Sequence, residues 1–231
     1  KSAANCLSMS SIKENLEALL ARIPSGVQLV AVSKFHPLEA VLEAYDAGQR
    51  VFAESRPQEL ASKVEALDTA AYPGLEWQFI GHLQTNKLKM VLPYVSLVQS
   101  VDSLHLLQEI QKWGKAAGRT VSVLLEVHIG AEDTKQGFHE EEVLDILFDA
   151  DKYPNIRFCG LMAMASHTDD ESVIDADFER IDSMMAYFVD LFPELADFRQ
   201  LSIGMSDDWP IAVRHGATMV RIGTAIFGFR Q

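Results

Sequence analysis

A lysine stands at the end of a short apolar segment, where its amine could react with a carbonyl group. The segment runs from Val27 to Val32, and Ser33-Lys34 ends it before Pro37 begins a helical pattern. Such a near-continuous apolar run is typical of a strand buried on both faces of a parallel sheet. Burial favours the neutral form of the Lys34 amine, which is the form that attacks carbonyls. The alternative interpretation is a lysine that ends the strand and extends into water.

Two later segments could bind an anion. The first, Gly204-Met205-Ser206-Asp207-Asp208, places a hydroxyl group at the start of a predicted helix. The second, Arg221-Ile222-Gly223-Thr224, is a glycine turn whose backbone N–H groups could point at a phosphate. Taken separately, Ser206 fits a plain helix cap and Gly223 a plain turn better than an anion site, and only their combination on adjacent strands indicates a phosphate site.

The composition excludes several classes of function. The formal net charge of −13 argues against binding to nucleic acid or to anionic membranes, which favour a basic surface. The two cysteines, Cys6 and Cys159, match no metal or redox spacing, and no metal site is expected. No apolar run is long enough to span a membrane, and the first residues contain no hydrophobic signal core. We therefore expect a cytoplasmic protein.

Strand and helix patterns alternate along the whole chain. An amphipathic helix over 11–22 comes first, and helical patterns then separate eight predicted strands, at 27–32, 51–53, 77–80, 97–101, 121–129, 156–165, 201–205 and 219–222. The strand starts recur at a mean of roughly 27 residues, close to the length of one unit in a (β/α)₈ barrel. The pattern predicts a single TIM-type α/β barrel domain over residues 1–231 with an extra N-terminal helix. An open doubly wound sheet is the alternative, but no GxGxxG motif follows the first strand.

A barrel would bring the polar residues that follow each strand to one rim, which is the active face of this fold. These residues are Lys34, Glu54, Ser55, Arg56, His82, Gln84, Asn86, Asp102, Lys135, Ser206, Asp207, Arg221, Gly223 and Thr224. The loops after strands seven and eight are the usual phosphate site of such barrels. A carbonyl-seeking lysine and a phosphate site on one face together predict pyridoxal 5′-phosphate, held as an internal aldimine on Lys34.

Specific motifs cover nearly the whole chain. They are Ala31 to Lys34 with Pro37, Phe52 to Ser55 with Gln58-Glu59, Trp77 to Gln84 with Asn86-Lys87, Ile129-Gly130 with Glu132, Lys135 and Gly137, Gly160 to Met164, Gly204 to Ser206 with Asp208, and Val220 to Gly228. In these motifs the chain resembles the YggS/PROSC family of pyridoxal phosphate homeostasis proteins, whose fold is similar to the barrel domain of alanine racemase.

The resemblance implies a role for each matching residue. It implies the cofactor on Lys34, its phosphate at Ser206, Gly223 and Thr224, and its pyridine nitrogen near Arg221. We also expect Ser55 and His82 at the cofactor. The family pattern Phe-Gly-Glu-Asn is altered here by Ala53 and Ser55, and His128 stands where the family usually has Asn. The shorter Ser55 side chain reaches less far toward the cofactor ring.

The site is compatible with a cofactor-binding protein and with an amino-acid racemase. Racemisation needs a base on each face of the α-carbon, and in the racemase architecture an additional β-domain supplies the second base. The sequence ends three residues after Gly228, so we expect no such domain, although His82 or Lys135 could supply a base from the rim. Arg221 cannot accept a proton, so it would leave the ring neutral and a weaker electron sink. Racemases tolerate the same arrangement, so Arg221 favours a carrier only in combination with the missing domain.

We therefore expect a monomeric protein that binds and delivers pyridoxal phosphate, with apo enzymes as recipients and little or no turnover. An amino-acid racemase is the alternative, and a scaffold with a vestigial cofactor site is a third class.

Overall fold

Eight parallel strands form a closed barrel in the computed structural model, which describes residues 11–130 and 136–229. The strands are β1 (Gln28–Val32), β2 (Val51–Glu54), β3 (Glu76–Phe79), β4 (Val95–Val101), β5 (Val121–Val127), β6 (Ile156–Ala163), β7 (Gln200–Ser202) and β8 (Met219–Ile222). Each strand pairs with the next along the chain, and β8 pairs with β1 to close the barrel, with Val30 opposite Arg221. The prediction of a TIM-type barrel is confirmed.

Helices surround the barrel. They are α1 (Ile12–Leu20), α2 (Leu38–Asp46), α3 (Pro57–Ala66), α4 (Leu88–Val91), α5 (Leu104–Ala117), α6 (Glu140–Phe148), α7 (Glu171–Leu191), α8 (Trp209–Arg214) and α9 (Thr224–Phe227), with short 3₁₀ helices at Thr85–Lys87 and Ala150–Lys152. The extra N-terminal helix is confirmed as α1. Its first turn has a capping box, in which Ser11 accepts from the Glu14 N–H and the Glu14 carboxylate accepts from the Ser11 N–H. The short helix α9, directly after Gly223, was not predicted.

Three strands end earlier than the hydrophobic pattern predicts. Strand β5 ends at Val127, β6 at Ala163 and β7 at Ser202. After β7 the backbone turns at Gly204, whose φ is +95°, a conformation that a strand does not adopt. The apolar pattern continues past each sheet edge, through buried residues such as Ile129 and Ile203 and through Met164 and Met205, whose side chains are exposed.

The core has two layers, separated by the wall of the barrel. Outward-facing strand residues pack against the helices, whereas an inner cluster that includes Val30, Leu124 and Met219 fills the barrel. Side chains two positions further along a strand share the same face. Glu126 and Arg221 therefore face the interior at the carboxyl ends of their strands. None of the helices described here is both long and apolar enough to cross a membrane.

Candidate functional site

Lys34 occupies the second position of a tight turn directly after β1. The turn, Ser33–His36, is closed by a hydrogen bond of 3.1 Å from the His36 N–H to the Ser33 carbonyl. Phe35 at its third position has a φ of +66° and is the one non-glycine residue with positive φ among those described. A type II turn requires positive φ at this position and normally has glycine there. Because phenylalanine is strained in this conformation, the surrounding structure must hold the turn in place.

A cavity of about 340 Å³ lies beside this turn and is called the Lys34 cavity below. Its lining consists of Val32, Lys34, His36, Gly223, Thr224, Gly228 and Phe229. The cavity thus joins the end of β1 to the end of β8, at the seam where the barrel closes. Its volume lies within the usual range for small-molecule sites. Lys34, Gly223 and Thr224, predicted to act together, line the same space.

Gly223 permits this close approach of the two strand ends. A Cβ atom at this position would lie 3.0 Å from the Val32 carbonyl oxygen and 3.3 Å from the Val32 Cβ. Glycine therefore lets the backbone of the β8 turn contact β1 without a side chain filling the space. The Gly223 carbonyl accepts hydrogen bonds from Ile226 and Phe227. These two hydrogen bonds fix the turn. The first backbone N–H groups of α9 have no intrahelical partner, as at the start of any helix.

Arg221 lies inside the barrel and is held by carbonyl and hydroxyl groups. Its Nη1 donates to the Ser202 carbonyl at 2.8 Å and to Ser202 Oγ at 2.7 Å, and its Nη2 donates to the Ala163 carbonyl at 3.0 Å. Ser202 Oγ in turn donates to Gln99 at 2.6 Å. Burial lowers the pKa of Arg221 to about 10, so the guanidinium remains charged at neutral pH. The site thus has a fixed cation that donates hydrogen bonds and accepts no proton.

Glu126 lies near Arg221 in the interior of the barrel mouth. Its carboxylate accepts no hydrogen bond from the described residues. Burial, reinforced by the nearby Asp102 carboxylate, raises the pKa of Glu126 to about 7. The opposing effects of Arg221 and His82 are smaller. Glu126 is therefore partly protonated at neutral pH. It lines a second cavity of about 420 Å³, to which Asp208 also contributes.

Three other predicted site residues lie on the rim but do not line the Lys34 cavity, namely Ser55, His82 and Ser206. The exposed ring of His82 pairs through Nδ1 with Asp102 Oδ2 at 2.9 Å. Gly81 brings the ends of β2 and β3 together, because a Cβ there would lie 2.0 Å from the Ser55 carbonyl oxygen. Ser206 is half-buried in the loop between β7 and α8. Lys135 lies outside the described residues.

Glu54 was predicted on the rim, but its side chain lies outside the barrel wall, beneath α3. It accepts hydrogen bonds from Ser33 Oγ at 2.6 Å and from Lys63 Nζ at 2.5 Å. Burial raises the pKa of Glu54, and these two donors oppose that effect.

Sequence reasoning missed the roles of Lys63 and Glu126. The spacing of Glu59 and Lys63 on one helix face was a signal for the first. A single acidic residue within the apolar run of β5 was a signal for the second.

Comparison with known proteins gives a consistent assignment. The family model of the alanine racemase N-terminal domain matches residues 7–231. A pyridoxal phosphate homeostasis protein of Vibrio alginolyticus is 36% identical over 96% of this chain and 99% of its own length. The solved structure of PipY from Synechococcus elongatus with PLP bound is 34% identical, with a TM-score of 0.87 over 94% of this chain and 100% of that one.

More distant structures share the fold alone. Alanine racemase of Clostridium difficile is 15% identical, with a TM-score of 0.74 over 95% of this chain and 56% of its own. The likeness to the homeostasis proteins thus extends over both chains, whereas the racemase contains much that this chain does not match.

Proposed function

The chain belongs to the alanine racemase N-terminal domain family and, within it, to the pyridoxal phosphate homeostasis proteins, and from this premise we propose that it binds pyridoxal 5′-phosphate at the mouth of its barrel. Lys34 is the covalent attachment point, and Gly223 and Thr224 bind the phosphate. The observation that carries the proposal is the cavity that these three residues share. The PLP-bound structure of PipY supports the same ligand.

The residues present fit this cofactor. The backbone cradle at Gly223 leaves the space that a Cβ would fill, and Lys34, two residues after β1, lines the same cavity. When bound, pyridoxal phosphate supplies an aldehyde and an electron-withdrawing ring. Lys34 binds the aldehyde carbon through a C=N bond with loss of water. In our proposal Ser206 assists at the phosphate, whereas Ser55 and His82 border the ring.

Arg221 would make the ring of a bound cofactor a weaker electron sink, which supports a binding protein, although racemases tolerate the same arrangement. Its guanidinium donates hydrogen bonds and accepts no proton, so it keeps a pyridine nitrogen beside it unprotonated. An unprotonated ring stabilises a substrate carbanion less well than a protonated ring paired with a carboxylate. We therefore propose that the protein holds the cofactor, with little or no turnover of amino acids, and releases it to apo enzymes in the cytoplasm.

One observation favours the alternative, an amino-acid racemase. The His82–Asp102 pair is a rim base whose ring is oriented by a carboxylate at 2.9 Å. Polarimetry with alanine and other common amino acids separates the two functions. We expect no appreciable racemisation, and turnover at ordinary enzyme rates, lost in His82→Ala, would reverse the assignment.

The cofactor proposal is tested by spectroscopy. Reconstituted protein should show a visible absorption band that survives dialysis and is absent from Lys34→Ala. Lys112→Ala, on the exposed face of α5, is the matched control and should retain the band. A wild-type protein without the band would contradict the proposal.

Delivery is tested by mixing the loaded protein with an apo pyridoxal phosphate enzyme. We expect the enzyme to regain activity faster than it does with the same concentration of free cofactor. Reactivation no faster than free cofactor allows would leave storage as the function and would contradict delivery.

A further inference from the structure

The backbone just before Lys34 is held from outside the barrel wall. Ser33 is fully buried, and its Oγ donates a hydrogen bond of 2.6 Å to Glu54 Oε1. Its carbonyl oxygen accepts a hydrogen bond of 2.9 Å from Lys63 Nζ on helix α3. Both contacts fix the peptide that leads directly into Lys34. Neither involves a residue that lines the Lys34 cavity.

The residue just after Lys34 is held by the same helix. The Phe35 N–H donates a hydrogen bond of 2.6 Å to Glu59 Oε1, and the Arg56 guanidinium lies 4.3 Å from the centre of the Phe35 ring. These contacts hold Phe35 at its φ of +66°. A phenylalanine released from them would relax toward negative φ, because its Cβ disfavours the left-handed region.

Lys63 connects the two sets of contacts. Its ammonium bonds to Glu54 at 2.5 Å, to Glu59 at 3.1 Å and to the Ser33 carbonyl, so each of its three N–H donors has an acceptor. The Lys63 side chain is 7% exposed and that of Glu54 is fully buried. At this depth a charged group keeps its position only while its partners remain. Glu54, Glu59 and Lys63 are called the Lys63 network below.

We propose that the Lys63 network positions Lys34 for bond formation with the aldehyde of its cofactor, an inference that rests on the proposed function. The network holds both neighbours of Lys34, and so aims the Lys34 side chain at the cavity beside Gly223. The neutral amine attacks the aldehyde carbon, and its two hydrogens leave with the aldehyde oxygen as water, so the step needs no further reactant. A reacting group displaced by about 1 Å can lose on the order of a hundredfold in rate.

The decisive variant is Glu54→Met with Lys63→Met. Replacing a buried ion pair by apolar residues of similar volume often preserves stability, so this double variant should fold while lacking the contacts to Ser33. Mixed with pyridoxal phosphate in a stopped-flow instrument, it should form the absorption band on the order of tenfold to a hundredfold more slowly than wild type. Competition by inorganic phosphate should be unchanged, because Gly223 and Thr224 are intact.

Glu59→Ala gives an independent test, since this side chain is partly exposed and its truncation removes the acceptor of one bond each from Phe35 and Lys63. We expect a smaller slowing of band formation in a folded protein.

The matched control is Gln49→Met. Gln49 is as buried as Lys63 and also bonds to β1 and β2, at the Leu29 and Val51 carbonyls, but at their opposite ends. Its variant should form the band at the wild-type rate. Wild-type rates in both the double variant and Glu59→Ala would overturn the inference, as would equal slowing in Gln49→Met. If the proposed function itself were wrong, the wild-type protein would form no absorption band, a result that differs from every outcome above.

Discussion

Glu54 is the last residue of β2 and Glu126 the last but one of β5, and the two carboxylates have different surroundings. Both are buried, at 0% and 6% exposure. Glu54 lies outside the wall of the barrel and accepts hydrogen bonds from Ser33 and Lys63. Glu126 lies inside the mouth, near Arg221, and its carboxylate accepts no hydrogen bond from the described residues.

The difference separates two uses of a buried acid. Through Lys63, Glu54 fixes the backbone beside Lys34, and a buried ion pair of this kind contributes more to geometry than to net stability. Glu126 has no such donor, so burial, reinforced by the Asp102 carboxylate, raises its pKa to about 7. One side of the mouth is therefore fixed, whereas the other side can change its charge.

The largest effect is expected on the fixed side. Lys63→Met leaves the buried Glu54 and the partly exposed Glu59 without their cation. We expect the free energy of unfolding to fall by about 3–5 kcal/mol, as measured by urea denaturation at neutral pH. The double variant with Glu54→Met should recover most of this loss, because it removes the uncompensated charge. A double variant less stable than Lys63→Met alone would contradict the account.

A smaller effect on the free energy of unfolding, of opposite sign, is expected at Glu126, on the side that titrates. The folded-state pKa of Glu126 is raised from 4.5 to about 7, so between these values the folded state binds more protons than the unfolded chain. Stability from this group is therefore present below pH 4.5 and is lost as the pH rises through about 7, in total on the order of 3 kcal/mol. Glu126→Gln should remove this dependence from unfolding curves measured between pH 4.5 and 8.

The two glutamates can be compared directly at pH 8. Glu126→Gln should stabilise the protein there, since it removes an unpaired buried charge. Glu54→Gln should destabilise it, since Lys63 loses a charged partner. If both variants changed the free energy of unfolding in the same direction, the environments of Glu54 and Glu126 would not differ as described.

The smallest effect is expected where β8 meets β1, between these two regions. Gly223→Ala places a methyl group 3.0 Å from the Val32 carbonyl and should cost about 1 kcal/mol of stability. It should also weaken the binding of pyridoxal phosphate, which fluorescence titration would measure. Gly26→Ala, with open space around its Cβ position, is the control and should change neither quantity. Unchanged binding in Gly223→Ala would remove this turn from the phosphate site.

The barrel could be predicted from the sequence because its strands are buried on both faces. Such strands give nearly continuous apolar runs, and the strict alternation with helices favours a parallel sheet. The closure of the barrel followed from eight repeats of similar length. The proximity of Lys34, Gly223 and Thr224 followed from the rule that the strand ends of a barrel share one rim.

The supporting contacts could not be predicted because they depend on details that residue types do not encode. Phenylalanine gives no signal for positive φ, so the strained turn at Phe35 was not foreseen. Glu54 and Glu126 both follow apolar strand residues, and only the register of each strand shows that one points outward and the other inward. The position of Lys63 depends on how α3 packs against β1 and β2.

The central claim is that Lys34 binds the cofactor covalently, and chemical reduction tests it most directly. Borohydride treatment of the protein loaded with pyridoxal phosphate would make the linkage permanent, and peptide mass spectrometry would locate the added group. The account predicts the phosphopyridoxyl mass on the peptide that contains Lys34, and none at this position without the cofactor. An unmodified Lys34 with the mass on another lysine would contradict it.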